Sequence, residues 1–117
     1  MESGCNSKTV VHENRTFIVN MLNFENGIII SISEGSPKIG SMLISINSGP
    51  IPSTSIIIPT KSDELFLKLL SEKIASFLHG ICLITANFEK SLDKETTKQL
   101  MHEIMGAVSY THLTLPT

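Results

Sequence analysis

The run Gly35-Ser36-Pro37-Lys38-Ile39-Gly40-Ser41 has glycines spaced as in a phosphate-binding loop. Such a loop cradles phosphate with backbone N–H groups. It needs a lysine directly after the second glycine, and a helix after that to aim its dipole at the anion. Ser41 holds the lysine's place and strand-like alternation flanks the run, so a turn between strands is expected. The four histidines, His12, His79, His102 and His112, include no pair with zinc-ligand spacing, and neither cysteine stands near enough to complete a motif. His79 falls where a helix should end and suits the negative pole there. His102 lies four residues from Lys98 on a polar helix face. Serine, histidine and aspartate occur without a Gly-x-Ser-x-Gly elbow. Cys82 sits in an apolar run with no basic neighbour to stabilise a thiolate, so it reads as an inert core thiol. No carboxylate pair has an acid–base arrangement. The expectation is a chain with no catalytic residue, no metal ligand and no cofactor.

The bulk composition agrees. The 117 residues make one domain. Charged residues are 17% of the chain, against about 25% in an average soluble domain. A surface poor in charge fits one partly covered by a partner. Net charge is −2 with no basic run, which excludes a nucleic-acid footprint. One Tyr and no Trp leave little for base stacking. No stretch is apolar for 18 residues, so no membrane span is expected. The start, MESGCNSKTV, lacks a signal core, and Cys5 and Cys82 do not make a disulfide framework. Both point to a reducing compartment, the cytoplasm and also the nucleus. The sequon Asn14-Arg15-Thr16 then has no glycosylation machinery to meet.

A meander of five strands is expected first. Residues 1–7 are small and polar and read as a disordered tail. Residues 8–12 form a strand, Glu13-Asn14 a turn, and 16–24 a second strand rich in β-branched and aromatic side chains. Glu25-Asn26-Gly27 supplies a hairpin turn. In the third strand Ile28, Ile30 and Ile32 share the buried face. In the fourth, residues 41–47, the alternation puts Met42, Ile44 and Ile46 inward. Ser48, Gly49, Pro50, Ile51, Pro52 and Ser53 form a loop, and residues 54–58 a fifth strand that Pro59 ends.

The period then changes. Ser62 is an N-cap, followed by Asp63 and Glu64 where the helix dipole favours acids. Phe66, Leu67, Leu70, Ile74, Phe77 and Leu78 form a core stripe, and Gly80 is the stop. Leu65 and Leu69 fall outside that stripe, on a patch with Lys73 and Ser76. They pack on the second helix or form a subunit contact. Residues 81–86 read as a central strand buried on both faces. Ser91 or Asp93 caps a second helix with the stripe Leu100, Met101, Ile104 and Met105. From Gly106 the sequence shows no period that continues this helix and resembles translated cloning adapter, so 106–117 reads as an atypical, foreign tail after a domain at 8–105. Five strands, helix, strand, helix make an α+β two-layer sandwich with a mostly antiparallel sheet.

Three segments carry a family resemblance: NGIIISISEGSPKIGSMLISI, TSIIIPTKSDELFLKLLSEKIASFL and GICLITANFEKSLDKETTKQLMHEI. They resemble, in pattern and spacing, the strand–turn–strand, strand–acidic turn–helix and buried strand–turn–helix of the proteasome assembly chaperone 3 family. The resemblance covers residues 8–105 and includes no catalytic signature. It implies a non-catalytic chaperone that pairs with a proteasome assembly chaperone 4-like subunit or with itself. The pair would dock on proteasome alpha subunits and promote assembly of the 20S alpha ring. The chain departs from the family where its last helix should run on.

A pairing subunit needs exposed apolar surface, and Leu65 and Leu69 supply a candidate patch. Ser48, Gly49, Pro50, Ile51 and Pro52, with the loop at 34–40, are candidate docking elements. Two other classes compete. A roadblock- or longin-like scaffold of trafficking complexes would interleave its helices differently. A small ligand-binding enzyme would show a deep pocket with convergent polar groups.

Overall fold

A computed structural model describes residues 4–47, 49–60 and 62–113. The elements are β1 (Cys5–His12), β2 (Arg15–Phe24), β3 (Gly27–Glu34), β4 (Ser41–Ile46), β5 (Ser53–Ile58), α1 (Glu64–Leu78), β6 (Ile81–Asn87) and α2 (Lys94–Leu113). The expected order of five strands, helix, strand, helix is the observed one.

The six strands form one sheet in the order β1-β2-β3-β6-β4-β5. The first three make a meander. Glu13 (φ 47°) and Asn14 (φ 68°) both take the left-handed conformation that a two-residue hairpin needs. The meander does not continue to five strands, as the sequence alone suggested. β6 inserts between β3 and β4, parallel to β3 and antiparallel to β4. All other pairings are antiparallel. The reason is hydrophobic. The most apolar strand takes the middle of the sheet, and only a helical crossover such as α1 can return a chain parallel to β3.

Both helices lie on one face of the sheet. Val19, Met21, Ile28, Ile30, Ile32, Leu43, Cys82 and Ile84 meet Leu67, Leu70, Ile74, Leu100, Ile104 and Val108 there. In β4 the inward residues are Leu43 and Ser45, not Met42, Ile44 and Ile46. Their pairing with Ile84 and Cys82, which face the helices, sets the parity. Ser45 is tolerated there because its hydroxyl bonds Ser71 Oγ (2.7 Å) and Thr54 Oγ1 (2.9 Å). Phe77, expected in the α1 stripe, is exposed, while Ala75 and Leu78 of the same turn pack on the core.

The helix ends differ in detail from expectation. Asp63, not Ser62, stands at the N-cap position of α1. The Ser62 hydroxyl donates to Asp63 Oδ2 instead. His79 closes α1 in the left-handed conformation, and Gly80 N–H reaches back to the Ala75 carbonyl. Asp93 caps α2 by accepting the Thr96 N–H at 2.7 Å. That bond holds the Asp93 carboxyl below the usual carboxylate range.

Both chain ends are more ordered than their composition suggests. Cys5, Asn6 and Ser7, expected in a disordered tail, open β1 by pairing with Leu22, Met21 and Asn20. Backbone pairing needs no apolar side chain, so polarity did not prevent it. Helix α2 runs through Gly106 without a break, and the buried Val108 extends the spacing of Leu100 and Ile104. Residues 1–3 and 114–117 of the two expected tails lie outside the described residues.

Candidate partner-binding surface

With both helices on one face, no described element covers the other face of the sheet. Strand register sets what it presents. Leu22 pairs with Ile29, Ile29 with Leu83, and Leu83 with Ile44, so four large apolar side chains cross the sheet in one row. The next row holds Phe24, Gly27, Ile81 and Ile46. On the opposite side follow Asn20, Ser31, Thr85 and Met42. Leu22, Ile29, Ile46 and Phe24 are 36% to 39% exposed. None of these residues is charged. Two shallow hollows of about 410 and 200 Å³ open on this face, one beside Cys5, Leu22 and Ile29, the other between Phe24, Ile44, Ile81 and Leu83. A concentration of exposed aliphatic groups without charge is unusual on a free monomer.

One end of this face is closed by the β3–β4 connection. To pass from β3 to β4 the chain must step across β6. Ser33 Oγ accepts the Lys38 N–H (3.3 Å) and Thr85 Oγ1 accepts the Gly40 N–H (3.1 Å) as it does so. The crossing is so close that a Cβ on Gly40 would run into the Ala86 carbonyl. The loop resembling a phosphate cradle is therefore a bridge between strands. Strands flank it on both sides and no helix follows it. At the same end, Arg15 is clamped between the Glu34 carboxylate and the carbonyls of Lys90 and Ser91. Glu34 also accepts the Glu89 N–H (2.9 Å), and with Arg15 this holds its carboxyl below the usual range.

A cavity of about 650 Å³ lies beyond the end of β6 and is lined in part by Ser41, Thr60, Ser62, Asp63 and Ser91. Ser91 Oγ donates to Ser62 Oγ and Ser62 Oγ to Asp63, but no described histidine lines it to take a proton onward. Burial pushes the Cys82 thiol up to about 12, the reverse of a nucleophile's shift. Among the described residues no group of three or more His, Cys, Asp or Glu could hold a metal ion. No described helix is long and apolar enough to cross a membrane.

The residues singled out in the sequence fall elsewhere. Leu65 and Leu69 are exposed on the outer side of α1. Gly49, Pro50, Ile51 and Pro52 form the β4–β5 connection, and Ser48 lies outside the described residues. The fold brings Leu69 and Pro52 together in one groove of about 450 Å³, with Glu72, Lys73, Ser76 and Met101. Leu65 and Ile51 do not line it. The open sheet face was missed. Its signal was present: β2 and β6 are apolar at both parities, while only two helices were available, enough for one face.

No family model matches the chain, and no curated protein matches it. A solved structure does. It is a chain of a novel chaperone complex for yeast 20S proteasome assembly, 15% identical to this one. The match covers 95% of this chain and 93% of that chain, with a TM-score of 0.61. The likeness is one of fold. At that identity it fixes architecture and leaves residue roles to the surface itself.

Proposed function

We propose that this protein is a non-catalytic chaperone of 20S proteasome assembly that pairs, through the open face of its sheet, with a second small subunit of similar fold. The observation that carries the reading is the uncharged aliphatic face formed by the rows of Leu22 and Phe24, on a fold shared with a chain of a proteasome assembly chaperone complex. Two such sheets pack about 10 Å apart into a sandwich, which buries the exposed rows of both. Six strands about 4.8 Å apart, each about 25 Å long, give a face of roughly 600 Å² in plan, near the ~800 Å² per partner of an ordinary stable interface. A proteasome assembly chaperone 4-like subunit would supply the second sheet. The pair would then engage proteasome alpha subunits and promote alpha-ring formation in the cytoplasm and nucleus. Free Cys5 and Cys82 suit that reducing setting.

The test is a tagged pull-down from native cytosol, read by mass spectrometry, with wild type and Leu83→Asp side by side. Wild type is expected to recover a second small chaperone and alpha subunits without mature beta subunits, and Leu83→Asp to lose the small chaperone. Recovery of vesicle or small-GTPase machinery, or of nothing, overturns the reading.

A further inference from the structure

The two edges of the sheet are treated differently. At the β1 edge Lys8 forms an ion pair with Glu103 of α2 (3.1 Å), so a charged residue guards the strand. At the β5 edge no charged residue does this, and the strand's irregularity is confined to a bulge at Ile57, where Met42 pairs with Ile58 and Leu43 with Ile56. The strand Ser53–Ile58 is uncharged, pairs only with β4, and exposes Ile56, Ile57 and Ile58 in succession. Among the described residues, no backbone group other than those of β4 bonds it, and its one side-chain anchor to a helix is Thr54 to Glu72. No other described strand pairs with the outer side of β5, which is regular from Ser53 to Ile56 and bulged at Ile57, beside three β-branched side chains. That is a template for one more strand.

We propose that the outer edge of β5 is a strand-addition site for a short, extended, uncharged segment of a client polypeptide rich in β-branched residues. Pro52 and Pro59 bracket the strand and lack N–H groups, so the ladder is limited to the six residues between them. Six residues span only about 20 Å, and the contact they make falls below the ~1,200 Å² of a lasting interface between folded proteins. The edge therefore suits a flexible segment held weakly and released, rather than a second folded copy. The groove of Pro52, Leu69 and Met101 opens where β5 begins and offers an apolar seat for one end of that segment. The site is separate from the open sheet face and does not depend on what covers it.

The experiment uses the full chain, followed by amide hydrogen exchange, and a blocked octapeptide of alternating valine and threonine with lysine at each end. The peptide is expected to slow exchange of the outward amides of residues 53–58 by about tenfold. A twin peptide N-methylated at its six central amides is expected to do nothing. Ile57→Lys, an exposed position given the guard that β1 already has, is expected to abolish the effect with unchanged melting temperature and unchanged molecular mass. Equal effects of both peptides would mean apolar stickiness without strand pairing and would overturn the proposal, as would no effect of either. Concentration-dependent protection of residues 53–58 without peptide would assign the edge to a second copy of this chain and overturn it too.

Discussion

Arg15 and Glu34 form a two-point ion pair at the end of the sheet, with Nε–Oε2 at 2.9 Å and Nη2–Oε1 at 2.7 Å. The guanidinium lies over the Phe17 ring, 5.2 Å from its centroid. It also donates to the carbonyls of Lys90 and Ser91. One pair of side chains thus joins β2, β3 and the segment that leads into α2. Planar bidentate geometry makes arginine the residue for this place, and lysine could not replace its four bonds.

Removing one partner leaves the other charge buried. Arg15→Ala is expected to destabilise the fold by about 2 kcal/mol, below the ~3–5 of a pair in the deep interior because the loop carbonyls lie near water. Urea denaturation followed by circular dichroism measures the loss. An unchanged midpoint would show that the loop at 88–91 is held by other contacts.

The same pair sets an acid limb. The Arg15 hydrogen bonds hold the Glu34 carboxyl below its unfolded value, so the carboxylate's contribution is fully present above about pH 4.3 and is lost as pH falls through the lower folded value. Asp93, lowered by its Thr96 cap bond, acts in the same direction. Glu34→Gln is expected to be less stable at pH 7 and to lose less of what remains on acidification. Melting temperatures between pH 2 and 7 check this, and parallel curves for wild type and variant would contradict it.

Neighbouring residues of β6 should behave as opposites. Leu83 faces the open side and Ile84 is fully buried against the helices. Leu83→Asp is expected to remain folded but unpaired in sedimentation, whereas Ile84→Asp is expected to unfold, since it leaves a charge in the core. A native-like spectrum for Ile84→Asp would move β6 out of the centre of the sheet. A paired Leu83→Asp would remove the open face as the interface.

Gly40→Ala is expected to cost about 1–3 kcal/mol, a large effect for so small a change, because its methyl would meet the Ala86 backbone carbonyl rather than a side chain that can turn aside. Thermal melts of the variant and of Gly49→Ala, where a Cβ meets nothing, make the comparison. Equal melting temperatures would mean that the β3–β4 bridge can lift away from β6.

Local pattern was enough for much of this protein. The alternation of Ile28, Ile30 and Ile32, the turns after His12 and after Phe24, the helix stripe of Phe66, Leu67, Leu70 and Ile74, and the end of α1 near His79 depend on residues near in sequence, and all are as read. So did the α+β class, because the period changes once and the helices come late. Ordering of the two ends was not legible. Cys5–Ser7 are held by backbone bonds to β2, and Val108 was separated from its stripe by Gly106 and Ala107.

The open sheet face depended on facts that no local window contains. Insertion of β6 between β3 and β4 joins residues 54 positions apart on one side and 35 to 45 apart on the other, and it turned Leu43 and Ser45 inward and Met42 and Ile44 outward. It also aligned Leu22, Ile29, Leu83 and Ile44 from four strands into one row. Residue order alone requires strands apolar on both sides and helices enough to cover one side. Which side they cover follows from the assembled sheet, because strand order and register are set by the burial of the whole sheet at once.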